Sequence, residues 1–295
     1  MTQYGITMRK TARRLRKRYR RMRYHLSPAP WSNAGRLERL RGFYRGQRCF
    51  VMGNGPSLND TPLNLLEGEY VWGFNRCHLL FDRIAWRPAF YTSVDDRVVP
   101  DTAPEINRLV GDLPDTLFFF PKAFGLHGLI KPAHNVLWFE QRMMDPSRGA
   151  RGYFSLDPTD FLRTPNTVTI TALQLAVYMG FDPIYLIGCD TSYTVPDDVI
   201  AEGAGRDPGT GEKIEGYNLT SLRDNDPNHF DPTYFGKGAK WHAPNVNGML
   251  YGYRCAKEIC DVEGVRVFNA TVGGQLEIFP RVRFETLFEA QRRFE

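Results

Sequence analysis

Arg48-Cys49-Phe50-Val51-Met52-Gly53-Asn54-Gly55-Pro56-Ser57-Leu58 is the stretch that decides the fold. A short apolar run stops at a Gly-Asn-Gly-Pro turn, which is too short for a helix and suits a buried strand. Glycines placed directly after a strand let the backbone approach a phosphate or a ribose. The turns that follow strands are also where open α/β sheets gather their nucleotide ligands. The loop is not G-x-G-x-x-G, because Leu58 fills the last position, and it is not a P-loop, because G-K-[ST] is missing.

Outward from this loop, strands and helices alternate. Strands are expected at 48–52, 70–74, 89–94, 116–120, 135–139, 184–187 and 265–269, each a short apolar run bounded by Gly, Pro, Asn or Asp. Helices are expected at 101–110, 167–179, 245–262 and 284–293; the third has a polar start at Asn245 and a glycine stop at Gly264. That alternation implies an α/β fold with a mainly parallel sheet covered on both faces. Polar residues follow four of the strands: Gly53-Asn54-Gly55, Asn75, Asp95-Asp96 and Asp190. Residues 191–244 read differently, rich in Gly, Asp, Pro and Asn with little periodicity, as an irregular active-site lid does. The organisation expected is a tail at 1–26, a linker with a short helix at 27–42, and one catalytic domain at 43–295 that carries the lid.

Charge separates the tail from the body. Residues 9–23 hold ten Lys and Arg, and the first acidic residue is Glu38. Removing those ten from the 38 basic residues leaves 28 against 33 acidic ones, so the body is acidic and is not expected to bind nucleic acid. Leu15, Tyr19, Met22 and Leu26 fall on one stripe of a helix. A basic helix with such a stripe suits an anionic membrane surface, or docks on the body or a sister subunit. No apolar run approaches the ~20 residues of a membrane span, and no secretory signal pattern is present, so the expected location is the cytoplasm, at the inner face of the plasma membrane. Five scattered cysteines with no C-x-x-C pair are expected to be reduced and buried.

Several motifs in order carry a resemblance. G-N-G-P-S-L at 53–58, Asn75 after the second strand, T-V-T-I-T at 167–171 and M-G-F-D-P-I-Y-L-I-G-C-D at 179–190 resemble the family 42 bacterial sialyltransferases. These motifs are also similar to a group of polysaccharide-locus proteins described as 6-hydroxymethylpterin diphosphokinase-like. The segment from Asp226 to Asn245 and the segment from Asn269 to Arg281 resemble that second group in particular. The resemblance implies a Rossmann-like sheet of the GT-A-like kind and an inverting transfer from a nucleotide sugar, sialic-acid-like or otherwise CMP-linked. It implies that Gly53, Asn54 and Gly55, with Ser57 in the same loop, line the nucleotide phosphate, and that Asn75 contacts the donor. Asp190 and the residues after it would meet the ribose and base, Tyr193, one position off, would match a tyrosine that steadies the departing phosphate, and His242 would be the acceptor-side base. The family's Ser-Gly pair falls on Val168 and Thr169 here, which moves a side-chain contact to Thr167.

The chemistry agrees on residue type. Inverting glycosyl transfer needs a base beside the acceptor hydroxyl and help for a departing phosphate. Histidine titrates near neutrality, and His242 and His229 both lie in the lid-like stretch. Asp95-Asp96 could hold a divalent metal on a diphosphate, although such a pair more often caps the next helix or pairs with a neighbour such as Arg97. The resemblance to the sialyltransferases implies that this segment lies near the donor sugar, so Asp95 is kept as a donor-sugar contact, with no metal and no cofactor required. Expected partners are the nucleotide sugar, a glycan or lipid-linked acceptor, the anionic membrane surface and a homo-oligomer partner. The alternatives are an ATP- and Mg²⁺-dependent pterin-type diphosphokinase and a non-catalytic nucleotide-binding protein.

Overall fold

The computed structural model describes residues 32–206 and 213–289; the basic stretch 9–23 and its apolar stripe lie outside them. In chain order the strands are β1 (Cys49–Met52), β2 (Val71–Phe74), β3 (Phe90–Thr92), β4 (Leu117–Pro121), β5 (Val136–Phe139), β6 (Gln141–Arg142), β7 (Leu162–Arg163), β8 (Ile184–Ile187), β9 (Val199–Arg206), β10 (Lys213–Ser221), β11 (Lys240–His242) and β12 (Val267–Asn269). Among the described residues, four helices of eight or more residues accompany them: α1 (Asn33–Leu40), α2 (Val98–Asp112), α3 (Val168–Met179) and α4 (Val246–Val262).

Seven strands form one sheet in the order β12-β8-β1-β2-β3-β4-β5. Every neighbouring pair is parallel. The fold is α/β and Rossmann-like. Strand β1 shows why its sequence reads as a continuous apolar run. All four residues are buried, Cys49 and Val51 against α3 and α4, Phe50 and Met52 in the core on the α2 side. A strand covered on both faces has no solvent side to alternate with.

From β1 the chain winds through β2 to β5 in one direction and returns to β8 and β12 on the other side. The order therefore reverses between β1 and β8, and the crevice at such a reversal is where doubly wound sheets bind ligands. Helix α3 follows β7 and is buried on nearly every side, ending at Gly180 in the left-handed conformation, φ 89°. Its one large polar side chain, Gln174, is fully buried and satisfied. Gln174 accepts from the Ser155 and Arg163 amides at 2.8 and 3.0 Å, and donates to the Arg163 and Ile170 carbonyls at 2.7 and 3.1 Å.

The sheet edges are covered. Along β5, the Asn33 amide both donates to the Trp138 carbonyl (2.7 Å) and accepts from its N–H (2.6 Å), while Arg36 donates to the carbonyls of Val136 and His134. Along β12, Asn269 exchanges backbone bonds with Pro280 and Val282 at 2.9 and 3.0 Å.

Three expectations change. Residues 191–244 are not irregular throughout: β9, β10 and β11 form a separate antiparallel sheet, order β11-β10-β9. Helix α2 begins three residues ahead of position 101, because the Asp95 carboxylate accepts from the Arg97 and Val98 amides at 2.8 and 3.0 Å and caps it. The last expected helix is, among the described residues, a 3₁₀ turn over Phe284–Phe288, whose two phenylalanines are both buried. Of the segment read as a linker, the structure shows α1 packed by Leu37 into the core.

Candidate active site

A cleft of about 450 Å³ opens at the C-terminal ends of β1, β2, β3 and β8, beneath the small antiparallel sheet. Its floor is the contact between two loops. The Gly53 amide donates to the Ile187 carbonyl (2.7 Å) and the Gly55 amide to the Gly188 carbonyl (2.9 Å). A Cβ on Gly53 would overlap the Gly188 carbonyl, and one on Gly55 would overlap the Asp190 carboxylate. These glycines are required by the seam between β1 and β8. Their amides are used inside the fold, so they offer a ligand open surface and not N–H donors.

Asp190 closes the seam. Its carboxylate accepts from the Ser57 amide (3.2 Å) and hydroxyl (2.8 Å), and burial raises its pKa above the usual carboxylate value. Among the described residues, three other than glycine have positive φ: Asn75 (45°), Asn166 (44°) and Thr191 (53°). All three line this cleft. Left-handed backbone is costly outside glycine, and such residues collect at functional sites. Asn75 is held there by Ser93, whose hydroxyl donates to its Oδ1 at 2.7 Å, and by the Tyr91 hydroxyl on its carbonyl at 2.5 Å.

The electrostatics come from the backbone. Helices α2, α3 and α4 all start at the cleft, capped by Asp95, by Thr167 on the Thr169 amide (3.4 Å) and by Asn245 on the Gly248 amide (2.8 Å). Helix N-termini present partial positive charge and favour anions. Among the described lining residues there is no Lys or Arg, and there are three carboxylates, Asp95, Asp96 and Asp190.

The two histidines differ. His229 Nδ1 is 2.7 Å from Oδ2 of Asp226, whose side chain is only 4% exposed. The Asp226 carboxylate also accepts from the Asn228 and Phe235 amides, at 2.8 and 3.1 Å. The His229 ring stacks on Tyr234, centroids 3.8 Å apart and 4° from parallel, so its orientation is fixed. Held in this way, His229 is one of the residues that line the cleft. Tyr234 in turn accepts from Asn54 at 2.9 Å, and burial pushes its hydroxyl pKa far up. His242 instead sets Nε2 3.4 Å from Asp96 and 3.7 Å from Asp95, buries Nδ1 without a partner, and lies against the Tyr217 ring at 4.7 Å.

Comparison with known proteins adds likenesses of shape. No family model matches the chain. No curated protein matches it. Among solved structures, 87% of the chain is similar to the MAf glycosyltransferase from Magnetospirillum magneticum AMB-1, with 14% identity and a TM-score of 0.48. The chain spans 38% of the length of that protein. Similarity also extends over 81% of the chain, and 85% of the other, to the sialyltransferase CstII from Campylobacter jejuni, solved with a substrate analogue, cytidine-5'-monophosphate; identity is 10% and the TM-score 0.43.

Of the residues expected at the site, Gly53, Asn54, Gly55, Asn75, Asp95, Thr167, Thr169, Asp190, Tyr193, His229 and His242 line this one cleft. Ser57 does not; it acts from behind, on Asp190. Tyr193 exposes 38% of its surface, and desolvation beside Cys189, Asp190 and Asp226 raises its hydroxyl pKa to about 12. Sequence reasoning missed Asp226, Tyr234 and Asn245. Asp226 had a usable signal, a carboxylate three residues ahead of a histidine in a proline-containing turn. All five cysteines are free and buried, and Cys189, on the cleft floor, has its pKa pushed up to about 12 by burial, which makes it a poor nucleophile.

Proposed function

We propose that this cleft binds a nucleotide-activated sugar and transfers the sugar, with inversion, to a hydroxyl of a surface-glycan or lipid-linked acceptor. The observation that carries this reading is the Asp226–His229 pair facing a cleft at the sheet's reversal point. Asp226 holds Nδ1, so Nε2 is the atom that takes the acceptor proton. The acceptor oxygen then attacks the anomeric carbon, the bond from that carbon to the phosphate oxygen breaks, and the phosphate leaves with the electron pair. The starts of α3 and α4 face the charge that develops on it. The Tyr193 hydroxyl, protonated at neutral pH, is a donor for the same oxygens.

A CMP-linked sugar of the sialic-acid type is the first donor to test. The reading places the protein at the inner face of the plasma membrane through residues 9–23; among the described residues no helix is long and apolar enough to cross a membrane. A diphosphokinase is the second reading, favoured by the carboxylates Asp95 and Asp96 beside His242. The described lining holds no Lys or Arg, so this reading requires Mg²⁺ at those carboxylates to meet the triphosphate.

The test is a thermal-shift series with CMP, CDP, UDP, GDP and ATP, with and without Mg²⁺, followed by turnover of the sugar nucleotide whose nucleotide stabilises the fold. His229→Ala is expected to lower turnover by about 10²–10⁴-fold with nucleotide affinity nearly unchanged. Stabilisation by ATP with Mg²⁺ alone would move the assignment to the kinase. Normal turnover by His229→Ala would remove the base role from His229.

A further inference from the structure

Asp95 and Asp96 leave the end of β3 and meet His242 at the end of β11. One ligand atom from each of the three lies within 4.8 Å of the others. His242 Nε2 lies 3.7 Å from Asp95 Oδ1 and 3.4 Å from Asp96 Oδ1. Both are long for a charge-assisted hydrogen bond, which closes to about 2.7–2.9 Å. They match neighbouring ligands on a shared ion: two donors about 2.2 Å from one centre, subtending 90–120°, lie about 3.1–3.8 Å apart.

Two of the three groups are fixed before any ion arrives. Asp95 is held by the Arg97 and Val98 amides and His242 by the Tyr217 ring. Asp96, with an 89% exposed side chain, is free to close on an ion and leaves room for water. The imidazole sets this group apart from a patch of surface acids, since nitrogen with two carboxylates is a donor set for Mn²⁺, Fe²⁺ or Zn²⁺ and less so for Ca²⁺. Charge gives an independent reason. The cleft's described lining contains three carboxylates and no Lys or Arg, so an anionic ligand meets side chains of its own sign unless a cation joins it.

We propose that Asp95, Asp96 and His242 bind a divalent cation of the Mn²⁺ type at the mouth of the cleft, with its remaining positions open to water and to a phosphate oxygen of the ligand. The cation site stands on the residues alone; the phosphate contact rests on the nucleotide-sugar reading. His242 is then a metal ligand, which leaves His229 as the base.

The test uses the full chain and MnCl₂, with free Mn²⁺ followed by electron paramagnetic resonance and no nucleotide present. One bound Mn²⁺ per chain is expected, with affinity lowered about tenfold or more in Asp96→Asn and in His242→Gln. Asp96 is exposed, so its substitution leaves the core intact. No bound Mn²⁺ at millimolar free cation, or unchanged affinity in Asp96→Asn, overturns the site. CMP and UDP binding are then measured by thermal shift, with and without Mn²⁺. A chain that binds Mn²⁺ but no nucleotide keeps the cation site and loses the donor reading; one that binds nucleotide but no Mn²⁺ does the reverse.

Discussion

Gly55 sits where a side chain would meet the Asp190 carboxylate, and that contact changes what a substitution there reports. Even Gly55→Ala must push Asp190 off Ser57, leaving the buried Ser57 amide and hydroxyl without their acceptor. A loss of about 1–3 kcal/mol is expected in urea unfolding, before any effect on ligands. Ligand binding lost at unchanged stability would instead assign Gly55 to the ligand surface. Asp190 carries a pH signature. Because burial raises its pKa in the folded state, the folded chain holds the proton more tightly than the unfolded chain. Its contribution to stability is therefore full below the ordinary carboxylate pKa and is lost as pH rises through the raised value. The melting temperature of Asp190→Asn, relative to wild type, is expected to climb from acid to neutral pH. A difference independent of pH would mean that Asp190 is not desolvated. At this scale the sequence named the residues better than their reasons. Strand ends and turn chemistry pointed to Asn75, Asp190 and the glycines, but the close approach of β8 to the glycine loop links positions far apart in the chain. For the same reason the proposal of His229 as the base, in place of His242, had no footing in the sequence: Asp226 is read only once the turn that folds it onto His229 is known.

Among the elements, those legible in sequence are the ones buried on both faces. Six of the seven strands of the main sheet fall within the expected segments, and β4 runs one residue past its own, because each apolar run ends at a turn residue. Strands β9 and β10 were not legible: Gly203 and Gly205 interrupt β9, and the register shifts between Glu215 and Asn218 in β10. A sheet this small draws its definition from pairing, which leaves no hydrophobic period in the sequence. The central helix α3 gives the sharper prediction. Gln174 satisfies two amides and two carbonyls in a dry interior. Gln174→Leu preserves volume but strands the Ser155 and Arg163 amides, at about 1–3 kcal/mol for each. Thermal melting is expected to show a large drop for Gln174→Leu and one at least as large for Gln174→Glu, which keeps the acceptor but buries a carboxylate against the Arg163 and Ile170 carbonyls. Equal melting of Gln174→Leu and wild type would show that the segment from Ser155 to Arg163 finds other partners.

For the molecule as a whole, charge is divided between a basic stretch at 9–23 and an acidic remainder. Deleting residues 1–26 is expected to leave the melting temperature of the body unchanged and to abolish binding to vesicles containing phosphatidylserine, since each basic residue near such a surface contributes roughly 1 kcal/mol. Binding that persists after the deletion would place the membrane contact on the body, and a melting temperature that falls would mean that the tail docks there.

The Asn33 side chain completes this picture from the edge of the sheet. By answering both the N–H and the carbonyl of Trp138, one amide does the work of an absent neighbouring strand. An open parallel edge is a template on which a second chain can grow. Asn33 is therefore a guard against polymerisation. In Asn33→Ala the exposed rim of β5 becomes adhesive, and the cost falls on solubility at high concentration and not on the melting of the isolated chain.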